Sequence, residues 1–284
     1  MTIKTVKVYA KNFYFCLPMH FVPINYSDPG FNPVHTADFQ LMVILSQDTF
    51  SYAVRHPATQ RLVSVSTDNP LTELFELQNN LGLLTSSYQK VVVAVETPSF
   101  CLVPNAIFTP DNLLDFAAFL SVKEADVILT DEIENGQNKV IFTFDEGLVQ
   151  KLAAHFNTTK IEFAPKSWIK TVIQAELPGQ NLYLMIEKDQ LQVLYPERKN
   201  VRFYNQFSCS SIDELVYYTA LVAEQLKLKP QETALIICGR AEAGDEQVLR
   251  LRQFFKEASL FNTPAFKQRN NLQQHQVVNF LGLI

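Results

Sequence analysis

The chain has 284 residues, 47% of them apolar, with 22 Phe and 10 Tyr; that is ample material for one large or two medium packed domains and excludes a disordered chain. Its 24 Lys+Arg against 29 Asp+Glu give a net charge of −5 with no basic run, which argues against a partner held by its phosphate backbone, so no nucleic acid is expected. The glycines number 8 and are scattered, whereas loops that cradle phosphates with their amides need them clustered.

The chain opens Met1-Thr2-Ile3-Lys4 without the apolar stretch of a signal peptide, and no apolar run reaches the ~18 residues of a membrane span. A cytoplasmic protein with no membrane insertion is the expectation. Cys16, Cys101, Cys209 and Cys238 lie far apart and read as reduced thiols. Residues 1–38, with Pro18, Pro23, Pro29 and Pro33, predict a strand plus irregular cover.

Residues 41–45 are an apolar run. A polar turn, Ser46-Gln47-Asp48-Thr49, follows, and then Phe50, Tyr52 and Val54 alternate on one face. Period-2 alternation around a short polar turn predicts a β-hairpin. Residues 61–67 give a third strand. Pro70 opens a predicted helix whose stripe is Leu71, Leu74, Phe75 and Leu81. Residues 91–95, apolar throughout, suit a strand covered on both faces. Residues 98–104 read as strand, and Thr109-Pro110-Asp111 caps a helix with Leu113, Phe116, Ala117 and Leu120 on one face.

Residues 123–180 are an insertion. Two strands, 126–133 and 139–144, flank Asn135-Gly136, the preferred pair for a type I′ turn. Asp126, Asp131, Glu132 and Glu134 give that hairpin an acidic side, expected to be solvated. A helix with Leu148, Leu152, Ala153 and Phe156, a strand at 160–164 and a helix from Pro165 with Ile169, Val172, Ile173 and Leu177 complete it. Trp168 fits either core or an exposed anchor. Leu177-Pro178-Gly179-Gln180 breaks the pattern, which places a first domain at 1–178 and a second at 179–284.

The second domain repeats the first in pattern. Asp189 follows Asp48 by 141 positions, and Leu191 follows Phe50 by the same 141. An apolar run at 182–186 turns through Glu187-Lys188-Asp189 into Leu191, Val193 and Tyr195. A third strand, 202–208, precedes a capping box, Ser211 to Glu214, and a stripe of Ile212, Leu215, Val216 and Val222. The apolar run 234–238 closes the unit. A further helix is predicted through Val248, Leu251, Phe255 and Ala258. The tail, with Val277, Val278, Phe280, Leu281, Leu283 and Ile284, is expected to dock, plausibly on the first domain.

Hairpin, third strand, crossover helix and parallel strand, twice in one chain, resemble the duplicated ribonuclease-H-like fold of the actin, sugar-kinase and heat-shock chaperone superfamily. The expected fold class is therefore α/β, with two tandem actin-like ATPase domains, each a mixed sheet with crossover helices. The segments Asp48-Thr49-Phe50-Ser51-Tyr52, Val103-Pro104-Asn105-Ala106-Ile107-Phe108 and Asn279-Phe280-Leu281-Gly282-Leu283 are similar to those of a bacterial family of unknown function assigned to this actin-like class.

In active members of the superfamily the two hairpin turns read Asp-x-Gly-Thr/Ser and Asp-x-Gly-Gly, with glycine letting amides close on phosphate and the carboxylates holding Mg²⁺. Here they read Gln47-Asp48-Thr49-Phe50 and Lys188-Asp189-Gln190-Leu191, and both glycines are missing. The superfamily's glycine-rich adenosine turn corresponds to Cys238-Gly239-Arg240, with Arg240 where a second glycine is expected. Asp48, Asp189, Gly239 and Arg240 are thus the candidate nucleotide-binding residues. Gly239 to Gly244 does not continue as a Walker A motif, and neither His-Glu-x-x-His nor Gly-x-Ser-x-Gly occurs. The reading is a pseudo-ATPase: non-catalytic, with no cofactor and no metal, binding a protein partner or a small ligand between the halves and compatible with a homodimer. The alternative is a divergent Mg-ATP-dependent phosphotransferase or ATPase using those four residues.

Overall fold

The computed structural model describes residues 21–75, 80–133, 137–266 and 272–283. The expectations for Cys16, Glu134, the Asn135-Gly136 turn and Ile284 lie outside the described residues. In chain order the strands and helices are β1 (Asn25–Ser27), β2 (Gln40–Leu45), β3 (Thr49–His56), β4 (Arg61–Pro70), β5 (Lys90–Val95), β6 (Phe100–Pro104), α1 (Leu113–Ala117), β7 (Asp126–Ile133), β8 (Asn138–Asp145), α2 (Glu146–Phe156), β9 (Ile161–Phe163) and α3 (Pro165–Ala175). There follow β10 (Asn181–Glu187), β11 (Gln190–Glu197), β12 (Asn200–Ser208), α4 (Ile212–Gln225), β13 (Ala234–Gly239), α5 (Glu246–Leu251), β14 (Glu257–Leu260) and α6 (Gln274–Leu281).

Two mixed sheets carry the molecule. One has the order β1-β4-β3-β2-β5-β9 and the other β12-β11-β10-β13-β14. In each, an antiparallel hairpin and third strand sit to one side of a central pair of parallel strands, β2 with β5 and β10 with β13. A third parallel strand, β9 or β14, follows. The central pairs end at Leu45↔Val95 and Ile186↔Gly239. A smaller sheet, β6-β8-β7, is built largely from the inserted stretch.

Alternation places the core. Leu41, Val43, Leu45, Phe50, Tyr52, Val93 and Val95 face one way, into a cluster that also takes in Tyr183, Met185, Leu194, Tyr204, Ile236 and Cys238 of the second sheet. The two sheets therefore share a core. Trp168 on α3 is 0% exposed inside it, with its ring 6.1 Å from that of Tyr204. Burial pushes the Cys238 thiol far above its usual range. The opposite face of the first sheet carries Met42, Ile44, Val92 and Ala94, and it is covered by Val277, Phe280 and Leu281 of α6 and by Leu283 just beyond the helix. Leu182, Leu184, Ile186, Leu191 and Val193 form a separate core with Leu215 and Val222 of α4 and Val248 and Leu251 of α5.

The structure departs from the sequence expectations at three places. In its described residues the first crossover is not an amphipathic α-helix: β4 runs on to Pro70, and tight 3-10 turns occupy Leu71–Phe75 and Asn80–Thr85. Left-handed Asp68, at φ 58, precedes the first turn and Gly82, at φ 70, lies inside the second, and an α-helix cannot run through a residue in that conformation. Leu74 is buried nonetheless. In the second half α4 is a full helix, with the Ser211 hydroxyl accepting from the Glu214 amide at 3.2 Å and Glu214 accepting from the Ser210 amide at 2.8 Å. The helix predicted through Ala258 stops at Leu251, because residues 257–260 instead satisfy the open backbone edge of β13, pairing Ala258 with Leu235.

The third departure is the acidic side of the insertion. Asp131 is not solvated but 4% exposed, accepting from Lys160 at 2.9 Å, from Lys166 at 2.9 Å and from the Phe163 amide at 3.2 Å. Burial pushes its carboxyl up, but the two lysines outweigh it and hold the group below the usual range. The carboxylate thus clamps β7 to β9 and to the start of α3. Asp131→Ala is expected to lower stability by roughly 1–3 kcal/mol, read as a shifted urea midpoint. An unchanged midpoint would show the clamp to be idle.

Candidate functional site

The carboxyl ends of the central strands of both sheets carry charge. After β5 the Glu96 amide donates to the Leu45 carbonyl at 2.7 Å, and after β13 the Arg240 amide donates to the Ile186 carbonyl at 3.0 Å. Glu96 and Arg240 are therefore positional counterparts, each the first residue beyond a parallel pair. Gly239 makes the second exit possible. Its φ is 87, and a Cβ there would collide with the Ile186 carbonyl oxygen.

Arg240 turns toward the other half of the molecule. Its guanidinium forks onto Asp68 at the end of β4, Nη2 donating to Oδ1 at 2.5 Å and Nη1 to Oδ2. Its Nε lies 3.1 Å from Oε2 of Glu187, the last residue of β10. The side chains of Arg240, Glu187 and Asp68 are 12%, 21% and 32% exposed. The left-handed Asp68 is steadied by its amide, which donates to the Ser51 hydroxyl at 3.2 Å. A second limb centres on Glu96. Its Oε2 accepts from the Ser46 hydroxyl at 3.1 Å and its Oε1 from the Gln192 amide at 2.5 Å. Gln192 in turn accepts from the Tyr204 hydroxyl at 2.9 Å.

Two carboxyls, Asp68 and Glu187, pair with one guanidinium, and a third, Glu96, acts on Glu187; the electrostatics follow from that arrangement. Burial pushes Glu187 up to about 7; Arg240 pulls it down, while Glu96 and Asp68 push it up again. Burial likewise raises Glu96, against the hydrogen bonds from Ser46 and Gln192. For Arg240 burial works against the charge, but Asp68 and Glu187 outweigh it and hold it firmly protonated.

Of the four residues singled out in the sequence, the structure brings Gly239 and Arg240 to this cluster. Asp48 and Asp189 sit on exposed hairpin turns. Their main chains, not their carboxylates, have the structural roles: the Asp48 carbonyl accepts from the Leu71 amide and the Asp189 carbonyl from the Cys209 amide, both at 3.0 Å. The pair Glu187↔Gln190 closes the second hairpin over only Lys188 and Asp189, with Asp189 at φ 55. In the first hairpin the Ser46 amide is already given to the Thr49 carbonyl at 2.9 Å. Phe50 and Leu191, equivalent in the repeat, are both buried, but in different cores. The residues not singled out were Asp68, Glu96, Glu187 and Gln192. The signal for two of them was present, since a lone Glu directly follows each of the apolar runs 91–95 and 182–186. Among the described residues no group of three or more His, Cys, Asp and Glu is placed to hold a metal ion.

A family model matches residues 28–258, most of the chain. This chain belongs to the DUF3822 family. That family is described as proteins of unknown function. No curated protein matches the sequence. Among solved structures, a Bacteroides thetaiotaomicron protein described as having an actin-like ATPase fold and unknown function aligns with a TM-score of 0.71 at 17% identity, over 82% of this chain and 94% of that one. A chain of the PilM-PilN type IV pilus biogenesis complex aligns with a TM-score of 0.60 at 12% identity, over 86% of this chain and 97% of that one. At these identities the likeness is one of fold, so this DUF3822 member has an actin-like ATPase-type α/β architecture. Among its described residues no helix is long and apolar enough to cross a membrane.

Proposed function

We propose that this DUF3822 protein is a non-catalytic, tandem actin-like protein, of two ribonuclease-H-like domains at 1–178 and 179–284, that works by binding a protein partner. The duplication reading is supported by the shared strand order of the two sheets and by Glu96 and Arg240 leaving them through the same backbone hydrogen bond. The loss of nucleotide chemistry rests on one observation: Arg240 is forked onto Asp68 across the strand ends. A polyphosphate entering there would have to detach Asp68 and lie against Glu96 and Glu187, in surroundings that already disfavour negative charge. A protein partner, rather than a small ligand, agrees with the similar chain belonging to an assembly, the PilM-PilN complex. A reducing cytoplasmic setting agrees with the free thiols Cys101, Cys209 and Cys238.

Calorimetric titration with Mg-ATP tests the reading. No saturable heat and no rise in melting temperature are expected. Micromolar affinity that disappears in Asp48→Ala or Asp189→Ala would replace it with a divergent ATP-dependent phosphotransferase or ATPase.

A further inference from the structure

Nine large apolar side chains stand exposed among the described residues, and four of them, Ile107, Leu114, Phe119 and Val122, fall in one stretch over the small sheet. A 3-10 turn at Pro110–Asn112 runs directly into α1. Beyond α1 the coil continues, the Ala118, Phe119 and Leu120 amides donating to the Leu114, Phe116 and Ala117 carbonyls. At about 100° per residue Leu113, Phe116, Ala117 and Leu120 share the inner side, and all four pack with Val103 and Ile141 of the sheet. The outer side of such a coil is expected to be polar. It carries Asp111 and Asp115, one turn apart, but also Leu114, Ala118 and Phe119, with Leu114 69% and Phe119 83% exposed. Ile107 is held beside the start of the coil by Asn112, whose side-chain amide donates to the Ile107 carbonyl at 2.9 Å. A lone exposed leucine is ordinary; a group of large apolar side chains on one small subdomain marks a contact surface.

The face also says what kind of partner fits it. It is a helix face rather than a sheet edge, and Leu114 and Ala118, four apart, form the sort of ridge against which another helix packs. Its charge is one-sided. Residues 104–126 hold Asp111, Asp115, Glu124 and Asp126 against Lys123 alone. Among the described residues no ion pair neutralises Asp111 or Asp115. Lys139, 5.4 Å from the centre of the Phe108 ring, is taken by Glu132 at 2.9 Å. A second copy docked face to face would set these carboxylates against their own images. An anionic lipid surface would be repelled by them. A helix with basic residues beside its apolar row meets both features of the face.

We propose that the outer face of α1 docks a cationic amphipathic helix of a partner protein, whose apolar row covers Leu114 and Phe119 and whose Lys or Arg side chains pair with Asp111 and Asp115. The inference rests on the reading of this chain as a binder of proteins, to which it adds the surface and the partner's chemistry.

The test uses the full chain and a fluorescein-labelled synthetic helix of leucine and lysine, its leucines spaced alternately three and four apart. One control peptide has glutamate for every lysine, and the other has the same residues in an order that leaves no apolar face. Fluorescence anisotropy should show saturable binding of the first peptide, weakened by salt, with each control at least ~10-fold weaker. Leu114→Ser with Phe119→Ser, at exposed positions whose replacement should leave the melting temperature in place, should cost at least ~10-fold. Asp111→Asn with Asp115→Asn should cost about 3-fold at low salt and less at high salt. Leu249→Ser, at another exposed leucine, on α5, should change nothing. Binding that survives the Leu114 and Phe119 replacements would overturn the proposal while leaving the chain a binder of peptides. Glutamate and lysine peptides bound equally well would overturn it too. Self-association in sedimentation that those two replacements abolish would give the face to a second copy instead. No binding of any peptide would also overturn the proposal, and the non-catalytic reading would still stand on the Arg240 fork; Mg-ATP binding would do the reverse.

Discussion

Gly239→Ala should leave little folded protein, with a loss of more than ~4 kcal/mol where it can be measured, placing it among the rare severe substitutions. Two independent effects act at one atom. With φ at 87 the residue is left-handed, which an L side chain resists by roughly 1–2 kcal/mol. The new Cβ would also meet the Ile186 carbonyl oxygen, and that obstacle is backbone in the middle of a sheet rather than the mobile end of a side chain. To make room, β13 would have to leave β10 at their last pair and drag Arg240 from Asp68. Gly244→Ala is the matched control, because nothing lies within 4 Å of a Cβ there. Soluble yield and urea unfolding followed by far-UV circular dichroism read the comparison. Equal midpoints for the two variants would refute the argument. Gly282→Ala probes a different contact, since its Cβ would collide with the Ser167 carbonyl where α6 meets α3. There the obstacle is a helix-to-helix approach at ordinary φ, so a pure packing loss is expected.

What could be read from the chain divides by the range of the forces involved. The hairpins, the apolar central strands and the helix after Pro165 were legible because each is fixed by alternation, turn chemistry or an amphipathic period within a dozen residues. Asp48 and Asp189 both lie on hairpin turns, and each turn carbonyl accepts the amide of the first residue after a third strand, Leu71 and Cys209. Residues 71–75 and 80–85 were misread because their apolar spacing is helical while the left-handed Asp68 before them and Gly82 within the second stretch are not, and positive φ at an aspartate leaves no mark in a sequence. Ala258 was misread because an unpaired strand edge, a tertiary demand, decided between helix and strand. The candidate site was half legible. Gly239 and Arg240 were marked by a departure from an expected glycine pair. Asp68, 172 positions from Arg240, could not be paired with it by any local rule.

The cluster's own behaviour should distinguish a closing latch from an incidental ion pair. Glu187 in the folded chain sits at about 7, above the ordinary carboxyl value of 4.5, so the folded state holds its proton more tightly than the unfolded chain does. Stability from this group is complete below about 4.5 and is lost as pH rises through about 7. Arg240→Ala removes the cation paired with Asp68 and Glu187. Breaking such a pair costs roughly 3–5 kcal/mol when it is fully buried. The partial exposure of Asp68 and Glu187 lowers the expectation to about 2–3 kcal/mol. The loss should grow with pH. Near pH 5 Glu187 is protonated, and mainly the Asp68 fork is forfeited. Near pH 8 the remaining carboxylates repel one another, and a further 1–2 kcal/mol or so should go, about one pKa displacement's worth. The double variant Arg240→Ala with Glu187→Gln should recover that pH-dependent part and leave the rest. Urea midpoints of the wild type and both variants at the two pH values decide the matter. A loss independent of pH would mean that Glu187 does not belong to the electrostatic unit, and the closure assigned to Arg240 would then rest on Asp68 alone.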